Sequence, residues 1–341
     1  MAGSPNNAFI TVNPSFILPD IILQYQQLSG AFDVLPNGDP MVRLGEGDLA
    51  VYVKKFDVRT KQASAQSAYN MLPGASIVPS YVSTPTYLIR TRAEYDHHDI
   101  AAANAWGYSL PEGQRLAMRQ GVFQQQRNAL LYGFNPSNGE GVLNTQGATT
   151  TSLPPDSNGN QTISTYDNGQ LAVFFLNLIG QLKTRCMQLG MPVRISIVTP
   201  QRVQAALAYQ GIVQLTQFQR EGGGVNSILG TVNSVAGWSG DTIEWSCDDT
   251  LINQGSGGNT DAIIIAIPEV KKPGGTTINT NEFAKLAPGL EATNLMLTDM
   301  AAPREIPTPL AGGATDVLME IRTTSGWFLR PEALTILSAA Y

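Results

Sequence analysis

The sequence predicts an α+β fold, and three observations lead to this prediction. A long segment around residues 112–132 has the residue spacing of an amphipathic α-helix. Helical and strand-like segments then alternate between residues 167 and 267, which indicates a compact α/β unit. Two strand-like segments, residues 49–58 and 81–95, enclose a long polar stretch, as in a protruding β-hairpin.

The composition indicates a large globular chain with an unusually neutral surface. At 341 residues the chain can bury a sizeable core without disulfides or metals. Only 14% of residues are charged, whereas 22 Gln, 21 Asn and 28 Thr supply much of the polar surface. Such a surface is expected where copies of one chain cover each other. A monomer with a plain neutral surface would have the same composition, so both interpretations stay open.

Charge and hydropathy exclude several classes of protein. Twenty-one basic against 27 acidic residues give a net charge of −6, which is unfavourable for a free-standing DNA-binding module. No apolar run approaches the ~18 residues of a membrane span. Residues 1–10 lack the basic and apolar regions of a secretory signal. We expect Cys186 and Cys247 to be core or half-buried thiols, with no disulfide and no metal.

Catalytic signatures are sparse. The only histidines, His97 and His98, are adjacent, so on a helix they point to different sides and are poorly placed to share a metal. We interpret the Asp96-His97-His98-Asp99 segment as a polar helix start, with Asp96 or His98 near the N-cap. No nucleophile elbow or phosphate-binding glycine motif is present, and the glycine clusters at 45–47, 222–224 and 255–258 are typical of loop tips. We therefore expect no catalytic, metal or cofactor-binding site and no enzyme activity.

The first 44 residues resemble an arm. Prolines interrupt this segment five times, and it has no sustained periodicity. Its apolar side chains need cover from the chain's own body or from a neighbouring subunit. The main ones are Phe16, Ile17, Leu18 and Ile22.

The predicted hairpin has little apolar surface of its own. A two-stranded hairpin is at best marginally stable in water. Residues 49–95 should therefore contact another surface, and packing on a neighbour and packing back on the same domain are both open.

The long helix has clear ends. Ser109 is the predicted N-cap, Pro111 and Glu112 form the first turn, and Gly133 stops the helix after Tyr132. Two apolar stripes on opposite sides predict contacts from two directions; they are Leu116, Phe123, Leu130 and Met118, Val122, Ala129. Three arginines spaced four and eight apart, Arg115, Arg119 and Arg127, could form a stripe, and we expect them to pair with carboxylates of the same or neighbouring subunits.

The remaining segments complete the α/β pattern. Residues 145–161 have the composition of a neutral loop. Asp167 is the predicted cap of a helix that ends at Gly190. Its apolar stripe comprises Leu171, Phe175, Leu178, Leu182, Cys186 and Leu189. Predicted strands at 193–199, 262–267, 291–298, 316–322 and 326–337, with a short helix at 200–209, account for most of the rest.

Two short motifs and the order of these parts carry a resemblance. The long helix closes as Leu130-Leu131-Tyr132-Gly133, and Gly141-Val142-Leu143-Asn144 follows it. The chain ends with Arg330-Pro331-Glu332-Ala333-Leu334 before a last apolar strand. In these features, and in element order over nearly the whole chain, the sequence resembles the major capsid proteins of tailed bacteriophages, whose shell fold is named after phage HK97.

The resemblance implies a domain organisation. Residues 1–44 would be the N-terminal arm and residues 45–94 the extended β-hairpin loop. Residues 95–154 and 276–341 would form the peripheral domain, with the long spine helix at 112–132. Residues 155–275 would form the axial α/β domain around the five- and six-fold axes.

The resemblance also implies a structural function. Pentamers and hexamers of the chain would close into an icosahedral shell around phage double-stranded DNA, in a virion assembled in the host bacterial cytoplasm. Partners would be other copies, a separate scaffolding protein, a portal and an optional decoration protein. A separate scaffold is expected because the sequence begins almost at the arm. The DNA would be enclosed without specific binding, and no membrane would take part.

Some proteins of that family join a loop lysine covalently to an asparagine of a neighbouring subunit. Lys54, Lys55 and Lys61 would be the donors here, but residues 316–341 contain no asparagine, so we expect no cross-link. Together with the arm residues and the three helix arginines, these lysines are the candidate inter-subunit contacts.

Other functions remain open on sequence alone. The shell of a cellular nanocompartment with the same fold would enclose protein cargo in place of DNA. A tail-tube or fibre protein, or a soluble enzyme, would share the element order by coincidence. Sedimentation and particle content distinguish these classes.

Overall fold

The computed structural model of the chain describes Leu35 and residues 44–45, 47–60, 75–105, 107–186, 192–212, 226–238, 240–269, 295–296 and 303–341. The helices are α1 (His97–Ala105), α2 (Leu110–Leu131), α3 (Asn168–Arg185), α4 (Gln201–Tyr209) and α5 (Ile228–Trp238), with single 3₁₀ turns at Pro136–Asn138, Val142–Asn144, Asp249–Leu251 and Pro331–Ala333. The first seven strands are β1 (Ala50–Thr60), β2 (Ala75–Pro85), β3 (Tyr87–Tyr95), β4 (Thr149–Ser152), β5 (Arg194–Thr199), β6 (Gly211–Ile212) and β7 (Asn226–Ser227). The later strands are β8 (Thr242–Cys247), β9 (Asp261–Ala266), β10 (Leu295–Met296), β11 (Arg304–Pro309), β12 (Thr315–Thr323), β13 (Trp327–Phe328) and β14 (Leu334–Ala339).

A five-stranded main sheet organises the body of the protein. Its order is β4-β14-β9-β5-β8. The two outer pairs, β4–β14 and β5–β8, are parallel, and the two inner pairs are antiparallel. The last strand of the chain therefore lies inside the sheet, between two strands from much earlier in the sequence.

Both faces of the main sheet are buried. Along β9, Ile263 and Ile265 face a core that includes Leu171, Phe175 and Leu182 of α3. The alternate residues, Ala262, Ile264 and Ala266, face a second core that contains Leu130 and Leu131 at the end of α2. This alternation with a period of two, with both faces covered, explains why β9 is an almost continuous apolar run in the sequence.

Helix α3 forms as the sequence predicts. Asp167 is its N-cap, and the carboxylate accepts a hydrogen bond from the backbone N–H of Gln170 at 2.8 Å. The apolar stripe from Leu171 to Leu182 is buried against the main sheet. The helix ends at Arg185, earlier than predicted. Helix α5, in contrast, has no counterpart in the sequence prediction.

The spine helix, α2, packs on a three-stranded outer sheet of order β11-β12-β3. Met118 and Val122 of the helix contact Ile89, Val317 and Met319 of the sheet. Ser109 stands at the N-cap position as predicted, although its side chain makes no capping hydrogen bond. The helix ends at Leu131, one residue before the predicted Tyr132.

Glycines close the spine helix where the backbone leaves no room for a side chain. Gly133 and Gly141 both have positive φ, at 73° and 87°. A Cβ on Gly133 would meet the backbone of Glu140, and one on Gly141 would meet the backbone of Tyr132. Only glycine tolerates this combination of a left-handed conformation and close backbone approach. The two glycine motifs that carry the capsid resemblance thus form one tight crossing.

Strands β1 and β2 form a separate two-stranded hairpin. They pair antiparallel over eleven positions, from Ala50 opposite Pro85 to Thr60 opposite Ala75. The predicted strand at 81–95 is wrong as a single element. The chain leaves the hairpin at Thr86, and residues 87–95 pair with β12 in the outer sheet.

The main sheet joins segments that the expected domain boundaries separate. Strands β4 and β14 fall in the segments 95–154 and 276–341, which were assigned to the peripheral domain, whereas β5, β8 and β9 fall in the axial segment. Leu35, from the expected arm, lies fully buried in the second core of its own chain. The domain boundaries themselves stay a prediction.

Candidate assembly surface

The hairpin exposes large apolar side chains. Leu49, Tyr52 and Tyr81 are 77%, 67% and 72% exposed. The rings of Tyr52 and Tyr81 lie on the same face of the hairpin, with centroids 6.1 Å apart. Exposed, clustered aromatic side chains are typical of surfaces that bind another protein. Sequence reasoning missed these two tyrosines, although the alternation of residues along both strands could have placed them on one face.

Arg322 connects the base of the hairpin to the central strand of the outer sheet. The Nη1 of Arg322, on β12, donates to the backbone oxygen of Asp48 at 2.9 Å and to the hydroxyl of Thr86 at 3.0 Å. Thr86 also donates its backbone N–H to the oxygen of Leu49 and its hydroxyl to the oxygen of Asp48. These bonds hold the start of β1 and the end of β2 at one point.

A buried carboxylate lies beneath this point. Glu140 is 6% exposed and accepts hydrogen bonds from the hydroxyls of Tyr87 and Ser325 and from the backbone N–H of Asn135. Burial, together with the hydrogen bond to Glu140, raises the pKa of Tyr87 to about 12. Glu140 thereby joins the start of β3, the turn after the spine helix and the loop before β13.

The spine helix is covered on one side in its first half. Leu116 of the first predicted stripe is 48% exposed, whereas Met118 and Val122 of the second stripe are buried. Within the subunit, contact from two directions therefore develops only toward the end of the helix, where Leu130 is also buried. The side of the helix that carries Leu116 is open.

Two of the three helix arginines form ion pairs within the subunit. Arg115 and Arg119 both contact Glu305 of β11, at 3.1 Å each. Their predicted pairing with a carboxylate is confirmed. Arg127 is half-buried, and its Nε has no hydrogen-bond partner among the described atoms. Whether any of these arginines contacts a neighbouring subunit stays a prediction.

The opposite face of the outer sheet carries ion pairs of its own. Arg90 pairs with Glu320 at 3.2 Å, and Arg92 pairs with Asp316 at 2.8 Å. These basic groups are thus neutralised locally by acidic groups on the neighbouring strand. Because the side chains of both arginines are mostly exposed, each pair contributes little to stability.

The histidine segment starts a helix, as predicted. Asp96 precedes α1 and accepts a hydrogen bond from the N–H of Asp99, which accepts one from the N–H of Asp96 in return. The bond from Asp99 lowers the pKa of the Asp96 carboxyl. Within the described parts of the chain, no group of three or more His, Cys, Asp or Glu side chains is placed to hold a metal.

Both cysteines are half-buried, as predicted, and both thiols are free. Burial raises the pKa of Cys186 to about 11, and its Sγ lies 3.6 Å from the backbone oxygen of Glu332. Cys247 contacts the side-chain oxygen of Gln204. Of the helices that the structure describes, none has the length and apolar composition that a membrane span requires.

Most other candidate contact residues lie beyond the description. Phe16, Ile17, Leu18, Ile22 and Lys61 lie outside the described residues. The backbone of Lys54 and Lys55 belongs to β1, and their side chains are outside the description.

Comparison with solved structures identifies the fold to which this architecture belongs. The chain superposes on the capsid of Myoviridae phage XM1 with a TM-score of 0.66 and 11% sequence identity, over 95% of this chain and 96% of that one. The chain has the HK97-type capsid fold. The capsid of an empty GTA particle matches with a TM-score of 0.58 and 9% identity, over 97% and 96% of the two chains. Mycobacterium phage Ogopogo matches with a TM-score of 0.54 and 12% identity, over 96% and 97%.

The HK97-type fold prediction is confirmed over nearly the whole chain. No protein-family model matches the sequence, and no curated protein matches it. At identities of 11% and 9% the likeness lies in the course of the backbone. Function therefore has to be inferred from the surfaces that this HK97-type chain exposes.

Proposed function

We propose that the chain is the major capsid protein of a phage. In this proposal, copies assemble as pentamers and hexamers into an icosahedral shell that encloses double-stranded DNA. The observation that carries the proposal is the agreement of nearly the entire chain with phage capsid structures, at TM-scores of 0.66 and 0.54. Because β1 and β2 pair with no other described strand, the proposal expects a neighbouring copy to cover the hairpin.

The physical chemistry of the hairpin supports this proposal. Two strands without a core are marginal in water. Covering Tyr52 and Tyr81 would bury most of two aromatic side chains, each worth roughly 1.5–3 kcal/mol when fully buried. The cover would come from a second copy, and the open side of the spine helix near Leu116 is one apolar surface that a copy offers.

The N-terminal arm would provide a further contact between subunits. Phe16, Ile17, Leu18 and Ile22 would pack on a neighbouring subunit, because apolar side chains in a proline-broken segment need cover. Removing residues 1–28 should lower the melting temperature of particles and leave the isolated subunit soluble. Particles of unchanged melting temperature would argue against this contact.

The inner wall would hold DNA without binding it tightly. The net charge is −6, and the described arginines Arg90, Arg92, Arg115 and Arg119 are paired with carboxylates. Because acidic residues outnumber basic ones, the chain has no net positive charge with which to displace counterions from phosphates. Empty shells mixed with duplex DNA at physiological salt should bind no tighter than the non-specific range, with Kd of roughly 10⁻⁴ to 10⁻⁶ M. Nanomolar binding with a steep salt dependence would contradict the proposal that the inner wall does not bind DNA tightly.

The direct experiment is sedimentation velocity of the purified chain over a range of concentrations, followed by electron microscopy. Closed shells of uniform diameter are the expected result. A 36.5 kDa species at every concentration would overturn the proposal, and open tubes would favour a tail-tube protein. Nuclease-resistant DNA inside native particles supports a phage capsid, whereas a protein cargo without DNA would identify a nanocompartment.

The subunits would be held together without covalent bonds. Lys54, Lys55 and Lys61 are candidate donors, but the terminal segment offers no asparagine to accept them. Boiled particles should run as one band near 36.5 kDa. A ladder of larger species that resists reducing agents would reveal a cross-link to another acceptor.

A further inference from the structure

The hairpin leaves the body through a narrow base. Among the described strands, β1 and β2 pair only with each other. At the base, the chain enters at Asp48 and Leu49 and leaves at Thr86, which continues directly into β3 of the outer sheet. Whatever fixes the direction of the hairpin must therefore act on this short crossing.

Arg322 is placed to act there. It belongs to the central strand of the outer sheet, directly opposite Leu88 of β3. Its Nη1 bonds the oxygen of Asp48 on the entering segment and the hydroxyl of Thr86 on the leaving one, at 2.9 and 3.0 Å. One cationic group thus connects both strand ends of the hairpin to a strand that is separated from Asp48 by 274 residues.

The residues of the crossing also form hydrogen bonds with each other. The backbone N–H of Thr86 donates to the oxygen of Leu49 at 3.1 Å, and the Asp48 carboxylate accepts the N–H of Gly45 at 2.7 Å. The Asp48 side chain is therefore engaged by the preceding turn, and the backbone oxygen is left for Arg322 and Thr86. Both hydrogen bonds come from Nη1, so the two N–H donors of one guanidinium nitrogen serve the two acceptors.

A change of angle at this crossing moves the far end of the hairpin much more than its base. Eleven residues at about 3.3 Å per residue make it roughly 36 Å long. A rotation of about 10° at the base would move the far end by about 6 Å, which exceeds the spacing of neighbouring strands at about 4.8 Å. Small changes at Arg322 therefore become large changes where a neighbour would be met.

We propose that Arg322 is a positioning residue that fixes the direction in which the hairpin leaves the body. For assembly the inference rests on the proposed capsid function, because direction matters where the hairpin must reach the next subunit. Arg90 and Arg92 lie on the same face and pair with carboxylates of the sheet itself. Arg90 therefore provides a matched control on the same sheet.

The first measurement is made on unassembled subunits. Spin labels at Ser76, which pairs with Arg59 near the far end of the hairpin, and at Thr308, an exposed residue of the outer sheet, report the distance between them in a background with Cys186 and Cys247 replaced by alanine. A narrow distance distribution is expected for the parent chain and for Arg90→Gln. Arg322→Gln should broaden the distribution or move its mean by several ångströms. An unchanged distribution in Arg322→Gln would overturn the inference.

The second measurement concerns assembly. Arg322→Gln should reduce the yield of closed particles at least 10-fold, with misshapen or open products in their place, whereas Arg90→Gln should change it less than 2-fold. Arg322→Lys should recover part of the yield, because the ammonium group also donates hydrogen bonds but sits on a more flexible side chain. Equal yields for Arg322→Gln and Arg90→Gln would contradict the role in assembly.

One further variant separates positioning from general destabilisation, and the parent chain itself separates the inference from failure of the proposed function. Thr86→Val removes one acceptor and keeps Arg322, so it should give an intermediate broadening with an unchanged melting temperature. If the parent chain forms no particles, the capsid proposal fails, yet the spin-label distances still decide whether Arg322 sets the direction. A broad distribution in the parent chain itself would also overturn the inference.

Discussion

The body and the hairpin of this protein are stabilised in different ways. The main sheet is buried on both faces, and side chains such as Ile264 and Ile265 are completely covered within one chain. The hairpin strands pair only with each other among the described strands, and Tyr52 and Tyr81 remain mostly exposed. The body therefore has the construction of a self-sufficient fold, whereas the hairpin has that of an element completed by a partner.

This difference between body and hairpin predicts that the stability of the subunit and the assembly of particles depend on different residues. Substitutions in the body should change the free energy of unfolding of the subunit. Substitutions in the hairpin should leave that free energy nearly unchanged and alter the formation of particles. Substitutions in one region that change both the free energy of unfolding and the formation of particles would contradict this prediction.

The largest effect on stability should come from a buried ion pair in the body. Lys183 of α3 contacts both oxygens of Asp241, at 2.9 and 2.7 Å, and the side chains are 9% and 3% exposed. Lys183→Met leaves the Asp241 carboxylate buried without its cation, which should cost about 3–5 kcal/mol in chemical denaturation. The surface control Arg92→Gln should cost less than about 1 kcal/mol. Similar losses for both variants would show that burial does not determine the cost of removing an ion-pair partner.

The second effect compares the two regions directly. Ile264→Ala removes a fully buried side chain from the second core and should cost about 2–5 kcal/mol of unfolding free energy. Tyr52→Ala removes a larger but exposed side chain and should change it by no more than about 0.5 kcal/mol. Urea titrations of unassembled subunits measure both. A large loss in Tyr52→Ala would place the hairpin within the folded core.

The third effect lies at the junction of the two regions and depends on pH. Tyr87→Phe loses the hydrogen bond to Glu140 and should cost about 1–2 kcal/mol at neutral pH. Because the folded pKa of Tyr87, about 12, exceeds the unfolded value near 10, its contribution is complete below pH 10. It should be lost as the pH rises from 10 to 12. The difference in stability between parent and variant should shrink over that interval, and a constant difference would contradict this.

The smallest effect should come from the exposed charges on the spine helix. Glu305→Gln removes the partner of Arg115 and Arg119, both about half exposed, and should cost about 0.5–1 kcal/mol. Added salt should weaken the parent chain toward the variant, since exposed pairs are screened. A loss several times larger that salt does not change would mean that this cluster is buried in the working protein.

Segments with strong local signals could be predicted from the sequence. Helix α3 combines a capping aspartate with a regular apolar stripe, and β9 is a short apolar run of branched residues. The spine helix has both a proline start and a glycine stop. In each case the residues that form the element also specify its ends.

Segments whose structure depends on distant strands could not be predicted. β4 is a run of threonine and serine that becomes a strand by pairing with β14, at the other end of the described chain. β11 contains Pro307 and Pro309, which a strand tolerates at the edge of a sheet but which conceal it in the sequence. α5 carries Gly230 and Gly237, which weaken its helical pattern.

The candidate site shows the same division. Pairing of the helix arginines was predictable, because spacing along one helix brings Arg115 and Arg119 together. The contacts of Arg322 with Asp48 and Thr86 were not, since no local pattern connects residues that lie so far apart in the sequence. The break at Thr86 was also hidden, because strand-forming residues continue through it while the chain changes sheets.

Sedimentation velocity of a chain that lacks residues 61–80 tests the separation of stability from assembly most directly. The deletion shortens the hairpin and leaves the main sheet and both of its cores untouched. We expect a soluble subunit that sediments as a small species under conditions in which the full chain forms closed particles, with an unchanged free energy of unfolding. Normal closed particles from the shortened chain, or a subunit that no longer folds, would contradict it.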